Sequence, residues 1–351
     1  MGRFIVRRLL WMCLVLSVVS LVTFVLMHAV PGGPFDTDKP VPDEVMANLN
    51  AHYHLDWPLW RQYVEYLYDV LVPRLTAQRP KPSLLESYLV EAEIGNFYFR
   101  WMNFGPSYAS KSRTVNDIFR DQLPVSAQLG IMALFVAMAV GIPMGILAAL
   151  KQNTFFDYLG MAVAIFGVSV PVIVLGPILV WIFGVALKWL PPTGWAAKPP
   201  FLLGVLPRQV SLDYFKYALM PTVALGLGSS AVLARLTRAS LLQVIHEDYI
   251  RTARAKGLAE QLVITRHALK NAMIPVATVL GPMFAALVTG TFVTEQIFGI
   301  PGMGKYFVTS ITNRDYPVIM GTVLLFAVVL VLANAVVDIA YAFLDPRIRL
   351  S

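Results

Sequence analysis

Residues 123–150 read LPVSAQLGIMALFVAMAVGIPMGILAAL, a stretch without any charged side chain. A bilayer core about 30 Å thick needs roughly 20 helical residues to cross it. Lipid offers no hydrogen-bond partners to the backbone, so a run of this length is predicted to be helical. Five similar uncharged and mostly apolar runs occur in the chain, at residues 9–30, 158–187, 217–234, 271–294 and 316–337. The sequence therefore predicts an all-α polytopic membrane protein with six transmembrane helices.

The overall composition agrees with this interpretation. Of the 351 residues, 57% are hydrophobic and only 14% are charged, whereas soluble domains carry about a quarter charged residues. The single cysteine, Cys13, lies within the first apolar run, which excludes a disulfide framework and a cysteine-rich metal site. The five histidines form no HExxH pair. We therefore expect neither a metal nor a cofactor bound by this chain.

The distribution of lysine and arginine predicts the orientation, because basic residues that flank short loops stay on the cytoplasmic side. If the amino terminus is inside, the inner segments hold Arg3, Arg7, Arg8, Lys151, Arg235, Arg238, Arg251, Arg254, Lys256, Arg266, Lys270, Arg347 and Arg349. The long segment 31–122, which includes Asp36 and Asp38, contains more acidic than basic residues. Both termini are thus expected in the cytoplasm of a prokaryotic cell. The net charge of +7 reflects this bias and not a nucleic-acid surface.

Four regions are predicted along the chain. Residues 1–30 form the cytoplasmic amino terminus and an uncleaved first helix, since the apolar run exceeds the 7 to 15 residues of a signal-peptide core. Residues 31–122 are too many and too polar for a connector, so they are expected to form an extracytoplasmic subdomain. Its predicted elements are helices at 45–49 and 60–72, a loop at 73–82, and an aromatic stretch at 97–104 that serves as core, interfacial belt or docking surface. Residues 123–343 form a five-helix core with a cytoplasmic loop at 241–273, and 344–351 form a cytoplasmic tail.

The basic segment 247–275, between the fourth and fifth apolar runs, carries the main functional signal. It begins EDYIRTARAKGL, and its first two residues suit a helix amino terminus because acidic side chains favour the positive end of the helix dipole. Gly257 is predicted to end this helix and to allow another backbone to approach closely. A second helix at 259–272 then leads back to the bilayer. Such a projection on the inner face indicates a cytoplasmic partner.

This segment resembles the membrane subunits of ABC importers, whose inner loop inserts a coupling helix into a groove on a cytoplasmic ATPase. Ala253 and Gly257 match the signature, while Arg251 stands where an acidic residue commonly heads it. That departure is shared by the peptide-importer branch of the family. The resemblance implies that the ATPase-coupling residues are Arg251, Ala253, Arg254, Lys256, Gly257 and Leu258.

Further motifs narrow the resemblance to the B-type permease subunit of oligopeptide and dipeptide importers, with the ABC type I importer permease fold. They stand at residues 46–48 (MAN), 53–55 (YHL), 104–107 (FGPS), 150–154 (LKQNT), 299–304 (GIPGMG), 313–316 (NRDY) and 345–349 (DPRIR). The segment 68–102 looks inserted relative to the family. The resemblance implies oligopeptide import with a second, C-type permease subunit, two ABC ATPase subunits and an extracytoplasmic peptide-binding protein. ATP and Mg²⁺ would be bound by the ATPase partners.

One motif is set aside. Residues 299–305 spell GxxxxGK, the pattern of a phosphate-binding loop, but Tyr306 replaces the Ser or Thr that binds Mg²⁺, and the segment follows a membrane helix instead of a strand. We therefore expect no nucleotide site here. With no GxSxG motif either, the isolated chain is expected not to be an enzyme.

Several alternatives remain open at this level. The charged residues at the ends of the apolar runs, Arg235, Arg238, Glu295 and Asp338, suit either structural anchoring or a gate or substrate contact. Within the importer class, dipeptides, nickel, glutathione, a sugar conjugate or another small solute compete with oligopeptides as substrate. An ion-driven secondary transporter would show inverted repeats and ionisable residues at mid-bilayer, and a non-transporting assembly or sensor protein would not need the inner projection.

Overall fold

The computed structural model of the chain describes residues 2–36, 42–77, 87–110 and 112–344. The motif at 345–349, Asp38, and the end of the predicted loop 73–82 lie outside these ranges. Within the described ranges the chain is mainly helical, with one small three-stranded sheet.

Five helical segments are long and apolar enough to cross a membrane, by length and composition. They are built on α1 (Gly2–Ala29), α4 (Val115–Leu150), α7 (Leu212–Ile245), α10 (Leu269–Val288) and α13 (Tyr316–Leu344). The fourth is extended at its start, because α9 (Glu260–Leu262) and a π-helical turn (Val263–Ala268) lead into α10 without a break. These segments correspond to the first, second, fourth, fifth and sixth apolar runs, so those predictions are confirmed.

The third apolar run is divided into two helical pieces. The first is α5 (Phe155–Ser169), and the second is α6 (Val172–Leu179), which continues as a π-helix over Val180–Ala186. Pro171 lies at the break, since proline lacks an N–H and disfavours helical geometry in the residue before it. Its carbonyl accepts hydrogen bonds from the backbone N–H groups of Val174 and Leu175, at 2.9 and 3.0 Å. The proline thus ends one helix and starts the next.

Helices α4 and α7 approach each other closely through small residues. A Cβ on Gly145 would lie 2.5 Å from the carbonyl oxygen of Ala234, and one on Gly226 would lie 2.8 Å from that of Ala133. The hydrophobic effect does not drive apolar side chains out of lipid. Membrane helices therefore associate through close van der Waals packing, which small residues such as these glycines allow. The pair α4–α7 is therefore the centre of the bundle, with α5 and α10 packed beside it.

A sheet and two short helices precede α4. They are α2 (Asp43–His52), α3 (Leu59–Leu71), β1 (Arg74–Thr76), β2 (Val90–Ile94) and β3 (Phe97–Trp101), with antiparallel strand order β1-β3-β2. Both helices predicted in this segment are confirmed. The predicted loop at 73–82 is wrong at Arg74–Thr76, which pairs with β3 so that Arg74 stands opposite Arg100. The aromatic side chains of β3 favour strand pairing, and they supply a partner that the local sequence of β1 does not reveal.

Helix α3 packs along α1. The hydroxyls of Ser20 and Tyr63 are 2.8 Å apart, and the rings of Phe24 and Tyr63 lie 5.2 Å apart. Both Ser20 and Phe24 lie inside the apolar span of α1. The outward face of α3 is apolar, with Leu59, Trp60, Val64 and Leu71 more than half exposed. An exposed apolar face on such a helix is typical of a helix at a bilayer surface.

The bundle has two ends of different character. The loop end consists of the turn 151–154, the helix α8 (Asp248–Ala255) and the start of α9. The sheet end consists of α2, α3, the sheet, and two short helices, α11 (Phe292–Ile297) and α12 (Gly304–Thr312). Helices α4 and α7 both run from the sheet end to the loop end, and α5 and α6 return the chain between them, which places the turn 151–154 and α8 together at the loop end.

Candidate functional site

The predicted coupling segment folds as a short helix between two turns. Helix α7 ends at Ile245, and Glu247 adopts an extended conformation that starts α8, its carbonyl accepting from the N–H groups of Ile250 and Arg251 at 3.0 and 3.3 Å. Asp248 lies in the first turn and Arg254 in the last, and each charge suits its end of the helix dipole. The predicted first helix is confirmed.

Two side chains of α8 fix it to the bundle. Ile250 is fully buried and Ala253 is 7% exposed, and their spacing of three puts them on one face of the helix. They pack in an apolar cluster with Ala149, Leu241, Val263, Ala268 and Ala272, from α4, α7 and the α9–α10 segment. Ala253, predicted as a coupling residue, therefore contacts this chain's own helices. Its small size allows α8 to lie close to them.

The turn after α8 depends on Gly257. Its φ of +73° lies in the left-handed region, which glycine adopts without the steric penalty of a side chain. Its N–H donates to the carbonyl of Arg254 at 2.9 Å, which ends α8. Apart from Gly257 itself and its two chain neighbours, no atom of the described residues lies within 4 Å of the position that a Cβ would occupy. The predicted helix end is confirmed, and the space beside this glycine is open.

The remaining predicted coupling residues lie at the surface: Arg251, Arg254, Lys256 and Leu258 are all exposed. Arg254 pairs with Glu260 across the Gly257 turn through two hydrogen bonds, Nε to Oε2 at 3.0 Å and Nη2 to Oε1 at 2.7 Å. This contact raises the pKa of the Arg254 guanidinium, which stays charged. Arg251 pairs with Asp248 at 3.3 Å. The structure thus presents a basic surface around an open glycine, and it leaves the coupling role of these residues a prediction.

Sequence reasoning missed two supports of this loop. Ile250 was not singled out, although its spacing from Ala253 was the available signal. Tyr249 and Asn271 form the second support, since the Asn271 Nδ2 donates to the Tyr249 hydroxyl at 2.7 Å. No sequence pattern connects these two residues, because they lie on different helices.

A buried ion pair ties the neighbouring turn to α7. The guanidinium of Arg238 donates from Nε and Nη2 to the two carboxylate oxygens of Asp157, both at 2.7 Å. The side chain of Asp157 is 3% exposed, and it also accepts from the N–H of Asn153 at 3.0 Å. Asp157 therefore holds the turn 151–154 in place. The sequence left two roles open for Arg238, structural anchoring or a gate or substrate contact. In the structure it makes an anchoring contact with Asp157.

The charges at two other helix ends also have partners in the chain. Arg8 pairs with Asp338 and joins α1 to α13. Glu295 is 2% exposed and accepts three hydrogen bonds, from Ser126 Oγ at 2.7 Å and from the N–H groups of Thr291 and Gly304 at 3.1 and 2.8 Å. The segment 299–305 is therefore packed around the protein's own carboxylate, which leaves the Gly304 N–H engaged. In the described part of the chain no group of three or more His, Cys, Asp and Glu residues is placed to hold a metal ion.

Two family models match the chain. Residues 141–350 match the binding-protein-dependent transport system inner membrane component, and residues 1–130 match the amino-terminal region of the same class of membrane component. The chain belongs to this family. Its fold class, predicted as the type I ABC importer permease fold, is thereby confirmed, and so is its nature as a multi-pass membrane protein.

Individual relatives of this permease are similar over their full length. The dipeptide transport system permease protein DppB of Bacillus subtilis (strain 168) is 40% identical over 350 residues, covering 100% of this chain and 99% of the relative. The oligopeptide transport system permease protein OppB of Escherichia coli (strain K12) is 40% identical over 349 residues, covering 99% of this chain and 100% of the relative. A solved inward-facing structure of the MetNI methionine ABC transporter is 17% identical, with a TM-score of 0.48, over 64% of this chain and 94% of that chain.

The family assignment decides between classes of function. The chain is the membrane-spanning permease subunit of an ABC importer. The alternatives of an ion-driven secondary transporter and of a non-transporting sensor are set aside by it. Its relatives are transport permeases, in agreement with a chain that is not an enzyme by itself.

Proposed function

We propose that this chain is the permease subunit of an ATP-driven importer for oligopeptides, in the inner membrane of a prokaryotic cell. A second, C-type permease subunit completes the translocation path, two ABC ATPase subunits supply the energy, and an extracytoplasmic binding protein delivers the peptide. The observation that carries this proposal is the 40% identity over the whole chain to permeases named for oligopeptide and dipeptide transport.

Dipeptides are the second candidate substrate. The identity to the dipeptide permease equals that to the oligopeptide permease, so the two relatives agree on peptides as a class and differ only in length. We assign the choice of length to the binding protein, because it meets the substrate first. Binding of di-, tri- and pentapeptides to that protein, measured by calorimetry, distinguishes the two candidates.

The loop end supports the coupling role. Arg251, Arg254, Lys256, Gly257 and Leu258 form an exposed surface that a cytoplasmic ATPase is able to grip. Ile250 and Ala253 connect that surface to α4, α7 and α10 through buried apolar contacts. Closure of the ATPases would move α8. Because tightly packed elements move together as a rigid body, α4, α7 and α10 would shift with it. ATP and Mg²⁺ are bound by the partners in this proposal, and this chain binds neither.

A pair of glycine substitutions tests the coupling role. Gly257→Trp and Gly204→Trp place the same side chain at two glycines with positive φ, +73° and +75°. Beyond its chain neighbours, neither glycine has an atom of the described residues within 4 Å of the position of a Cβ. Both variants carry the same backbone strain, but only Gly257 lies at the loop end. We expect Gly257→Trp to abolish co-purification of the ATPases and peptide uptake in proteoliposomes, and Gly204→Trp to retain both. Equal recovery of the ATPases with both variants would contradict the proposal.

The orientation is tested with single cysteines. Cys13 is the one cysteine in the sequence, so Cys13→Ser gives a cysteine-free background. In that background, Lys256→Cys is expected to react with a membrane-impermeant maleimide only in inverted vesicles. Glu91→Cys, on the exposed strand β2, is expected to react in spheroplasts and not in inverted vesicles. Labelling of Lys256→Cys from the outside would overturn the proposed orientation.

A further inference from the structure

Helix α3 lies beside the last part of α1. The ring centroids of Phe24 and Tyr63 are 5.2 Å apart, and the hydroxyls of Ser20 and Tyr63 are 2.8 Å apart. The part of α1 that is long and apolar enough to cross a membrane ends at Ala29. At a helical rise of about 1.5 Å per residue, Phe24 lies about 8 Å and Ser20 about 14 Å inside that end. Helix α3 is therefore level with the membrane-spanning part of α1 and does not lie beyond it.

A groove of about 450 Å³ lies between the two helices, a volume within the range of ligand-binding sites. Leu21 and Val25 line it on the α1 side, and Trp60 and Val64 line it on the α3 side. The residues that line it in the described part of the chain include no Asp, Glu, Lys or Arg. Because burial of apolar surface away from water is favourable, such walls favour an apolar occupant.

Helix α3 has three faces of different character. Its polar face lines a cavity shared with the start of α13, and it holds Gln62, Glu65 and Asp69. Its buried face, with Tyr66 and Val70, packs in an apolar cluster with the start of α4. The third face consists of four residues that are each more than half exposed: Trp60, Val64, Tyr68 and Leu71. A helix face in water is normally polar, so this third face indicates apolar surroundings.

The exposed faces of α1 and α3 form one continuous apolar surface. Leu21 and Val25 of α1 are 49% and 55% exposed, and they line the same groove as Trp60 and Val64 of α3. Because α1 crosses the membrane, its exposed face meets lipid acyl chains. The groove opens on that face, so acyl chains reach it directly.

The residues of this surface distinguish lipid from a second protein as the occupant. Helices that associate in membranes present small residues to each other, as α4 and α7 do, whereas the third face of α3 carries large side chains. Trp60 suits the level of the lipid headgroups, where tryptophan is enriched. Arg61 is exposed beside it, and basic residues that border an apolar helix face are typical of helices lying in the plane of a membrane.

We propose that α3 is embedded in the membrane leaflet at the sheet end, and that the groove between α1 and α3 binds an acyl chain of a phospholipid. The chain lies against Leu21 and Val25 on one side and against Trp60 and Val64 on the other. This contact holds α3, and with it the sheet that follows, at a fixed depth beside α1. The inference goes beyond the proposed function, since it does not depend on which solute is transported.

Spin labelling tests the position of α3. The full complex is reconstituted in nanodiscs of phosphatidylethanolamine and phosphatidylglycerol, with one nitroxide on Val64→Cys or Ile94→Cys in the Cys13→Ser background. Val64 and Ile94 are similarly exposed, 55% and 59%, but Ile94 lies on strand β2. At Val64 we expect relaxation by oxygen, which concentrates in lipid, to exceed relaxation by a water-soluble nickel chelate by about threefold. The opposite order is expected at Ile94. A larger effect of nickel at Val64, or protection from both reagents by a covering protein, would overturn the inference.

A groove-filling variant tests the acyl chain itself. Leu21→Trp places a large side chain in the groove, and Leu14→Trp makes the same change on α1 outside it, at a residue that is 52% exposed. Native mass spectrometry of the complex in mild detergent counts the phospholipids that stay bound. We expect Leu21→Trp to retain one phospholipid fewer than the unmodified complex and Leu14→Trp to retain the same number. Thermal unfolding confirms that both variants are folded. Unchanged retention in Leu21→Trp, or an equal loss in both variants, would refute binding in the groove.

Discussion

Two glycine-containing segments at opposite ends of the bundle show opposite designs. Segment 251–258, at the loop end, leaves the space beside Gly257 open and its basic side chains exposed. Segment 299–305, at the sheet end, is closed around Glu295. A Cβ on Gly302 would overlap that carboxylate, and one on Gly304 would lie 2.5 Å from the backbone nitrogen of Phe292.

The two segments differ in how far their contacts are made within this chain. In segment 299–305 the N–H groups of Met303 and Gly304 have partners within the chain, because they donate to Ser126 Oγ and to the Glu295 carboxylate. In segment 251–258 only Ala253 is buried. It packs against the bundle together with Ile250, the residue just before the segment. The closed segment is packed into the fold, whereas the open one leaves its basic side chains exposed, as the proposed contact with a partner requires. Four comparisons of variants test this contrast.

Glu295→Ala is expected to have the largest effect. The change leaves the Thr291 and Gly304 N–H groups and the Ser126 hydroxyl without their acceptor in a buried site. Because each unsatisfied buried donor costs about 1 to 3 kcal/mol, we expect a loss of about 4 kcal/mol in the free energy of unfolding. Thermal unfolding of the purified permease measures it. Glu91→Ala, on an exposed strand, is the control, and an equal loss in both variants would refute the structural role of Glu295.

Asp157→Asn is expected to come next. It keeps the size of the side chain but leaves the Arg238 guanidinium without a counter-charge in a mostly buried site. We expect a loss of about 3 kcal/mol, at the lower end of the cost of breaking a buried ion pair. Asp248→Asn breaks an Asp–Arg pair at the same end of the bundle, where the carboxylate is 94% exposed, and should leave the melting temperature unchanged. Similar melting temperatures for the two variants would show that the Asp157 pair does not anchor the turn.

The same substitution at two glycines separates the closed segment from the open one. Gly304→Ala forces a methyl group against the backbone of Phe292, and overpacking of this kind costs about 2 kcal/mol. Gly257→Ala meets no neighbour and incurs only left-handed strain, about 1 kcal/mol. Chemical denaturation of both variants measures the difference. A larger loss for Gly257→Ala would mean that the loop end is packed more tightly than the structure shows.

Glu260→Gln is expected to have the smallest effect. Its bond to Arg254 lies at the surface, where ion pairs contribute little to stability, so the melting temperature should not change. In the assembled importer we expect peptide-stimulated ATP hydrolysis to fall by about threefold or less, in proportion to the strength of an exposed pair. Gln261→Glu, which adds a charge next to it, is the control for charge alone. A clear drop in melting temperature would show that this bond stabilises the bundle itself.

The apolar runs were predictable because lipid imposes a length and a composition on every crossing helix. The division of the third run was harder to predict. Pro171 is visible in the sequence, but a proline does not always end a membrane helix, because neighbouring groups can bond the backbone groups that it frees. The strand β1 was not predictable, because its partner β3 lies more than twenty residues away. The helix α8 was placed correctly from Asp248 and Gly257, while the burial of Ala253 required the positions of α4, α7 and the α9–α10 segment.

The sequence by itself determined that this chain crosses a membrane repeatedly and that a basic helix and a left-handed glycine interrupt the crossings, because both depend on local composition and backbone sterics. The tertiary structure alone decided which charges anchor the fold, as with Asp157 and Arg238. It also decided that α1 and α3 lie side by side and form one groove. Those relations depend on distances between segments that are remote in the chain, and no local pattern encodes such a distance.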